Sequence, residues 1–370
     1  MVKNTKEMKF DAPIKLLPTR VWRTYKGGKM LDEFHGEGAG DDGNFPEEWI
    51  ISIVTARNTG REGLIEGLSL LDGSDANLKQ ILEADPIALL GKEHVDKIGM
   101  KTGVLVKLID SAERLTIQVH PDKEKARNLF HSEFGKTECW HILGTRTINN
   151  EKPCIYLGFK PNITRDYWQR VFDDQDIPNM LNCLNRFEVE IGDTFLINGG
   201  VPHAIGAGCF LIEIQEPTDY SIRTERVTPA GFQISDFMCH QGIGFKDMFE
   251  CFTYEGYSSE ETYNKWHINP IVIKDLPDYR EIELIGYDST PNFKMKMYEV
   301  TKSCEVETLD SFSGLFVFSG NCTLQVNDNE QEAKQGDQFF VPASINKYQI
   351  NNKGNEPARI FQFFGPDIKQ

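Results

Sequence analysis

Two stretches of this chain repeat one order of turn, strand and bend. "VEIGDTFLINGGVPHAIG" at 189–206 is echoed by "AKQGDQFFVPASINKYQI" at 333–350. In each copy Gly-Asp supplies a tight turn, an apolar strand follows, and a polar bend closes the unit. Short β-type runs precede both, such as "FSGLFVFSGNCTLQVND" before the second. A chain built this way is held to two antiparallel β-barrel or sandwich domains of one kind. The copies differ in one place that matters. Counting 11 positions from the Gly of each Gly-Asp reaches His203 in the first and Lys347 in the second. The first copy can therefore hold a metal in a way that the second cannot.

The rest of the chain is read around these two units. The opening carries a glycine-rich and acidic loop, "GEGAGDDGNFPEEW", before the β-branched run "WIISIVTARN". Between about 60 and 101, "NLKQILEADPIALLG" and "KEHVDKIG" place apolar residues at helical spacing, which predicts a small helical insertion. "DKEKARNLFHSEF" suits a short helix, and Thr164 is the expected N-cap of another that begins "ITRDYWQRVF". Beyond about 184, strands are expected to dominate to the C-terminus. The domain division that follows is 1–55 with 102–240, an insertion at 56–101, and a C-terminal unit at 241–370.

Composition excludes several classes of function. At 370 residues, with 39% hydrophobic and 26% charged residues, the chain is too apolar to be disordered and has no run of transmembrane length. A net charge of −16 would repel a phosphate backbone, so no nucleic-acid partner is expected, and no membrane partner either. The eight cysteines form no C-x-x-C pair, and the first residues lack a signal-peptide core. Reduced thiols and a cytoplasmic location are the expectation. Oligomeric state is left undetermined.

Chemistry-bearing residues collect on shared strand faces. In "LTIQVHPDK", Thr116, Gln118 and His120 alternate to one side, where a core would want apolar groups. In "GKTECWHIL", Lys136, Glu138 and Trp140 share a face, which turns Cys139 and His141 the other way. His141 is therefore read as packing against a neighbouring layer or solvent. His203 follows Gly-Gly and a proline, a bend that aims a side chain over the mouth of a β domain, and Glu213 and Gln215 alternate with Ile212 and Ile214. Imidazole, carboxylate and neutral amide together suit Zn²⁺ or another divalent first-row ion, with a position open for water or substrate.

"LTIQVHPDK", "GKTECWHIL" and "NGGVPHAIGAGCFLIEIQEPTDYSIR", in that order, resemble the signature segments of the type I phosphomannose isomerase family. The likeness extends to "PIKLLP" and to the C-terminal half, and covers most of the chain from about residue 13. It implies a mainly β fold of two cupin-type jelly-roll β-barrel domains with a small helical insertion, the second domain metal-free. It also implies one Zn²⁺ per chain, held by Gln118, His120, Glu138 and His203. By position, the resemblance sets Thr116 at a phosphate, Lys107 and Lys136 near the sugar, Glu213 beside the metal and Arg223 in catalysis. The family opens with Trp-Gly-Gly and a "WEISAHP"-like strand, whereas this chain has "VWRTYKGGKML" and "PEEWIISIVTARN", a departure at the rim of the pocket.

The activity so implied is interconversion of mannose 6-phosphate and fructose 6-phosphate through an enediol, on a small phosphorylated sugar as partner. Such a reaction needs stabilisation of an enediolate oxygen and a base. Glu213, Lys136 and a metal-held water are each candidates for the base, with Glu213 ranked first. Two rivals stand beside this reading: a non-catalytic sugar-binding cupin, and an isomerase of a different sugar phosphate. A cupin oxygenase is disfavoured, because a Gln-His-Glu-His set suits redox-inert zinc better than iron.

Overall fold

The computed structural model describes residues 10–308 and 310–369. The first strands in chain order are β1 (Ile14–Leu16), β2 (Thr19–Val21), β3 (Glu47–Ile50), β4 (Leu105–Asp110), β5 (Gln118–Val119) and β6 (Glu138–Thr145). They are followed by β7 (Cys154–Phe159), β8 (Leu184–Glu188), β9 (Thr194–Ile197), β10 (His203–Ile205), β11 (Cys209–Gln215), β12 (Ile222–Arg223) and β13 (His267–Ile268). The remainder are β14 (Ile271–Asp275), β15 (Tyr279–Ile285), β16 (Lys294–Val300), β17 (Ser303–Glu307) and β18 (Ser313–Ser319), then β19 (Asn321–Val326), β20 (Asn329–Lys334), β21 (Gln338–Val341), β22 (Lys347–Asn352) and β23 (Ala358–Phe364).

These strands make two jelly-roll units, each a pair of facing sheets. In the first, the sheet β13-β9-β6-β11-β4-β3-β2 faces β12-β5-β10-β7-β8, and in the second β1-β21-β18-β23-β16-β15-β14 faces β17-β22-β19-β20. Without the outermost additions the two orders are the same, strand for strand. The repeat seen in the sequence is thus one fragment of a repeat that spans both units. Every named strand pairing is antiparallel, as expected for sheets with one face on a core.

The units are tied together in three ways. The strand β1, from the N-terminal end of the described chain, pairs with β21 of the second unit, with Ile14 opposite Phe340. The outer faces of the two larger sheets pack on each other through residues such as Cys139, Ile212 and Ile214 on one side and Phe316, Phe361 and Phe363 on the other, all buried. Each such side chain stabilises by about 1.5–3 kcal/mol relative to exposure. The helices Leu78–Ala84, Pro86–Leu90 and Lys92–Ile98 close this layer with Leu78, Ile81, Leu82, Leu89 and Leu90. An Asn77/Gln80 capping box starts the first, and Pro86 at a first helical position starts the second.

Helices also cover the outer face of the smaller sheet of the first unit. Thr164 caps Arg165–Asp173 by accepting from the Tyr167 N–H, as its sequence predicted. Strands dominate to the C-terminus as expected, with one helical interruption. Helices at Asp236–His240, Gly244–Met248 and Ser259–Trp266 intervene, and Met238, Met248 and Trp266 are buried against the first unit. Their signals were in the chain: Ser235 caps the first, and Ser258 with Glu261 forms a capping box for the last. Among the described residues no helix is long and apolar enough to cross a membrane. All eight cysteines are free and buried.

Candidate metal centre and the cavity beside it

Strand alternation and two close glycine contacts assemble the site. On β5, Ile117 and Val119 go into the core beneath the helices, which leaves Thr116 and Gln118 lining a cavity inside the first unit. His203 stands opposite Gln118 across β10 and β5, and Arg223 stands opposite Gln118 across β12 and β5. On β6, Cys139 faces the layer between the units while Trp140 and Ile142 face inward. His141 points the same way as Cys139: its Nδ1 lies 2.8 Å from the Thr194 hydroxyl, and its ring lies 5.9 Å from that of Phe361. Packing against a neighbouring layer is therefore its role.

The bend before His203 fits closely against the His-Pro-Asp segment. A Cβ at Gly199 would lie 2.6 Å from the Asp122 Cα, and a Cβ at Gly135 would lie 2.8 Å from the Pro121 carbonyl oxygen. Only glycine lets both backbones approach so near. Gly200 takes a φ of 89°, and its N–H donates to the His120 carbonyl at 2.8 Å. The two histidines are brought together by backbone fit before any ligand is considered.

His120, Glu138 and His203 offer ligand atoms that all lie within 4.8 Å of one another, and all three side chains are buried. The His120 Nδ1 donates to the Tyr220 carbonyl and the His203 Nδ1 to the Val201 carbonyl, both at 2.8 Å. Each Nε2 is thereby left as an acceptor, and the two face each other at 3.2 Å. The Glu138 oxygens lie 3.2 and 3.3 Å from these nitrogens, and Oε1 has no hydrogen-bond partner in the structure. The His203 lone pair and an orphaned carboxylate oxygen, buried together beside a His120 nitrogen that only the Lys136 ammonium meets, suit a cation. This donor set fits a divalent metal such as zinc.

Electrostatics agree with that fit. Burial, then the Lys136 ammonium, push His120 down to about 3, and burial lowers His203 as well, so the site favours the neutral form of both imidazoles, the form a metal would take. Burial alone would raise Glu138, but Lys136, His120 and His203 hold it well below the usual carboxylate range. The Lys136 Nζ donates at 2.7 Å both to Glu138 and to the His120 Nε2. Lys136 is itself held by Glu216, whose carboxylate accepts from the N–H groups of Gly135 and Thr137 on either side of it.

The cavity beside the cluster gathers the other expected residues. Lys107, Thr116, Gln118, Lys136, Glu213 and Arg223 all line it. Lys107 and Glu213 form an ion pair at 2.9 Å, both buried, and the Trp140 indole N–H donates to Glu213 at 3.0 Å. Burial, then the Glu138 charge, raise the Glu213 carboxyl above its ordinary value. Arg223 donates only to carbonyls, those of Ser221 and Met238.

Four further lining residues escaped the sequence reading: Arg23, Tyr25, Glu47 and Asp219. The Arg23 guanidinium lies 2.9 Å from Glu47 and 3.1 Å from Asp219, and the Tyr25 hydroxyl donates to Glu47 at 2.8 Å. Asp219 lies within "EPTDYSIR", so a motif pointed to it. Arg23 and Tyr25 lie in the departure "WRTYKGG", which marked the rim without saying what it held.

Fold and cluster together define a two-unit cupin protein with, among the described residues, one buried His-Glu-His cluster, which lies in its first unit. Residues 69–137 match the family model for the phosphomannose isomerase type I catalytic domain, and 286–356 match that for the mannose-6-phosphate isomerase cupin domain. The resemblance to the type I phosphomannose isomerase family read from the sequence is thus matched by family models over two separate segments of the chain. It is 24% identical over 263 residues to a probable mannose-6-phosphate isomerase of Bacillus subtilis, covering 70% of this chain and 76% of that one. The fold is similar to a crystal structure of a Bacillus subtilis mannose 6-phosphate isomerase, with a TM-score of 0.73 at 20% identity, over 95% of this chain and 99% of that one. It is also similar to a mannose 6-phosphate isomerase crystallised with zinc and yttrium bound, with a TM-score of 0.68 at 14% identity, over 96% of this chain and 100% of that one.

Proposed function

We propose that this protein is a zinc-dependent aldose–ketose isomerase that interconverts mannose 6-phosphate and fructose 6-phosphate in the cytoplasm, with one Zn²⁺ per chain. The observation that carries the reading is the convergence of His120, Glu138 and His203 behind Lys136, which lines a cavity together with Lys107, Glu213 and Arg223. Gln118, half-buried beside His203, is the proposed fourth ligand. Zinc held there supplies a Lewis acid for the oxygens on the two reacting carbons.

The chain's own groups carry the protons. Glu213 takes a proton from carbon 2 of the open-chain aldose, and the C–H electron pair forms the carbon 1–carbon 2 double bond as the carbonyl pair moves onto oxygen 1. A hydroxyl proton then passes from oxygen 2 to oxygen 1, the oxygen 2 pair forms the new carbonyl at carbon 2, and Glu213 returns its proton to carbon 1. Burial raises its affinity for a proton, and the Trp140 N–H on one oxygen and the Lys107 ammonium on the other hold the carboxylate in place. Arg223 lays fixed positive charge at the developing oxygen, and the Lys136 ammonium stands ready to donate to it. Thr116 and Lys107 orient the sugar.

A coupled assay for fructose 6-phosphate, run before and after chelation and again with zinc restored, tests this reading. Turnover that vanishes and returns with zinc is the expected result. Stoichiometric zinc without turnover of mannose 6-phosphate would overturn the substrate assignment and favour an isomerase of another sugar phosphate.

A further inference from the structure

Three of the four cations that line the cavity are already paired. Arg23 faces Glu47 and Asp219, Lys107 faces Glu213, and Lys136 faces Glu138. Arg223 is the exception. It also lines a second, outer chamber, shared with the cavity through Arg23 and Thr24 and walled by Thr55, Arg57, Asn58 and Gln241. Arg57 has no carboxylate within ion-pair distance among the described residues, in contrast to its neighbour Arg61, which pairs with Glu66 at 2.7 Å. The chamber's one carboxylate, Glu62, accepts from the Gly60 N–H at 2.9 Å.

The position of Arg57 is built rather than incidental. Its backbone N–H donates to Asp219 at 2.8 Å, and its guanidinium lies 4.8 Å from the centroid of the Tyr220 ring. The carbonyl of that same Tyr220 accepts from His120. The pair Asp219-Tyr220 thus sets Arg57 at the mouth and His120 at the centre in one rigid step. An arginine without a carboxylate partner among the described residues, at the mouth of a chamber that leads to Arg223, suits a compact dianion in a chain of net charge −16.

We propose that Arg57 is a specificity-determining residue that receives the phosphate of the sugar in the outer chamber, with the sugar reaching from there past Arg223 into the cavity beside the metal centre. The inference rests on the isomerase reading above and adds to it a residue from the segment where this chain departs from the type I phosphomannose isomerase pattern.

The test compares Arg57→Met, Arg57→Lys and Arg61→Met in the zinc-loaded full chain. Two readouts are taken: KM and kcat for mannose 6-phosphate, and the Kd of inorganic phosphate by calorimetry. Arg57→Met is expected to raise both KM and the phosphate Kd roughly ten- to a hundredfold with kcat changed less than about twofold. Arg57→Lys should recover part of the loss, and Arg61→Met should leave both constants within about twofold, since Glu66 already engages that charge. A phosphate Kd that Arg57→Met does not move overturns the proposal, whatever the turnover. A wild-type protein that binds phosphate through Arg57 yet leaves mannose 6-phosphate unchanged upholds the dianion chamber and overturns the substrate assignment instead.

Discussion

The first and second units share a strand order and differ in what fills their interiors. Glu138 and Ser313 occupy equivalent places, opposite Ile197 and Val341 respectively, and Glu213 corresponds to Gln362, opposite Trp140 and Leu315. Where the first unit gathers charge, the second has a neutral knot. The Tyr298 hydroxyl donates to Gln362 at 2.9 Å, and the Gln362 amide donates to Ser313 at 3.1 Å and to the Tyr348 hydroxyl at 3.2 Å. Its hydrogen bonds are closed among themselves, so nothing there calls for a cation. The same framework therefore supports either a reactive centre or a sealed core, according to whether the buried polar groups satisfy one another.

The repeat also conceals a change of phase. Lys347 stands at the same count as His203, yet it is exposed and bridges Glu305 at 3.1 Å. The side chain that enters the second core is the next one, Tyr348. A slip of one residue along a strand exchanges its inner and outer faces. The second unit thus takes a different path through the bend, where Ala343 stands at the count of Gly199.

This comparison can be broken in four ways, taken from the largest expected effect to the smallest. Replacing His203 by Ala should cost at least about a thousandfold in kcat and most of the bound zinc, measured by the coupled assay and metal analysis, while Lys347→Ala changes neither. Glu213→Gln should lower kcat by about 10²–10⁴-fold with zinc retained. The reciprocal change Gln362→Glu buries a carboxylate among hydroxyls and should cost about 3 kcal/mol in denaturant unfolding. A fully active, equally stable Gln362→Glu would mean that the two interiors are interchangeable.

The third contrast concerns the bend. Gly199→Ala forces a Cβ onto the Asp122 backbone and should destabilise by about 1–3 kcal/mol and weaken zinc binding, whereas Ala343→Gly should cost about 0.5–1 kcal/mol and leave zinc untouched. The smallest effect is pH-dependent. Burial alone would raise the Asp219 carboxyl, but Arg23, with Lys107, lowers it from 3.8 to about 2. Its folded-state pKa is depressed, so its contribution is present above the ordinary value and lost as pH falls toward 2. That contribution is about 2 kcal/mol. Asp219→Asn should flatten this limb of the stability profile, and an unchanged limb would remove Asp219 from the account.

The residues that proved legible are those whose signal is local. Thr116, Gln118 and His120 could be assigned to one face because alternation along a strand needs no partner, and His141 could be turned away from the cluster for the same reason. Thr164 was readable as a cap from its place before a helical pattern. The helices between 236 and 266 were overlooked because short apolar runs next to strands do not announce their period, although their caps were present. Arg23 and Glu47 were unreadable as a pair, since one follows β2 and the other opens β3, and they meet only when those strands lie side by side.

By itself, the sequence determined that two β units of one kind would form, that one of them would carry histidine and carboxylate on inward faces, and which family's motifs those residues match. These follow from periodicity and turn chemistry, which act over a few residues. Tertiary structure alone decided that Lys347 faces solvent, that Asp219 and Glu216 hold Arg23 and Lys136 in place, and that Arg57 shares a chamber with Arg223. Each depends on the register of strands distant in the chain, and register is set by the packing of whole sheets rather than by any neighbour in sequence.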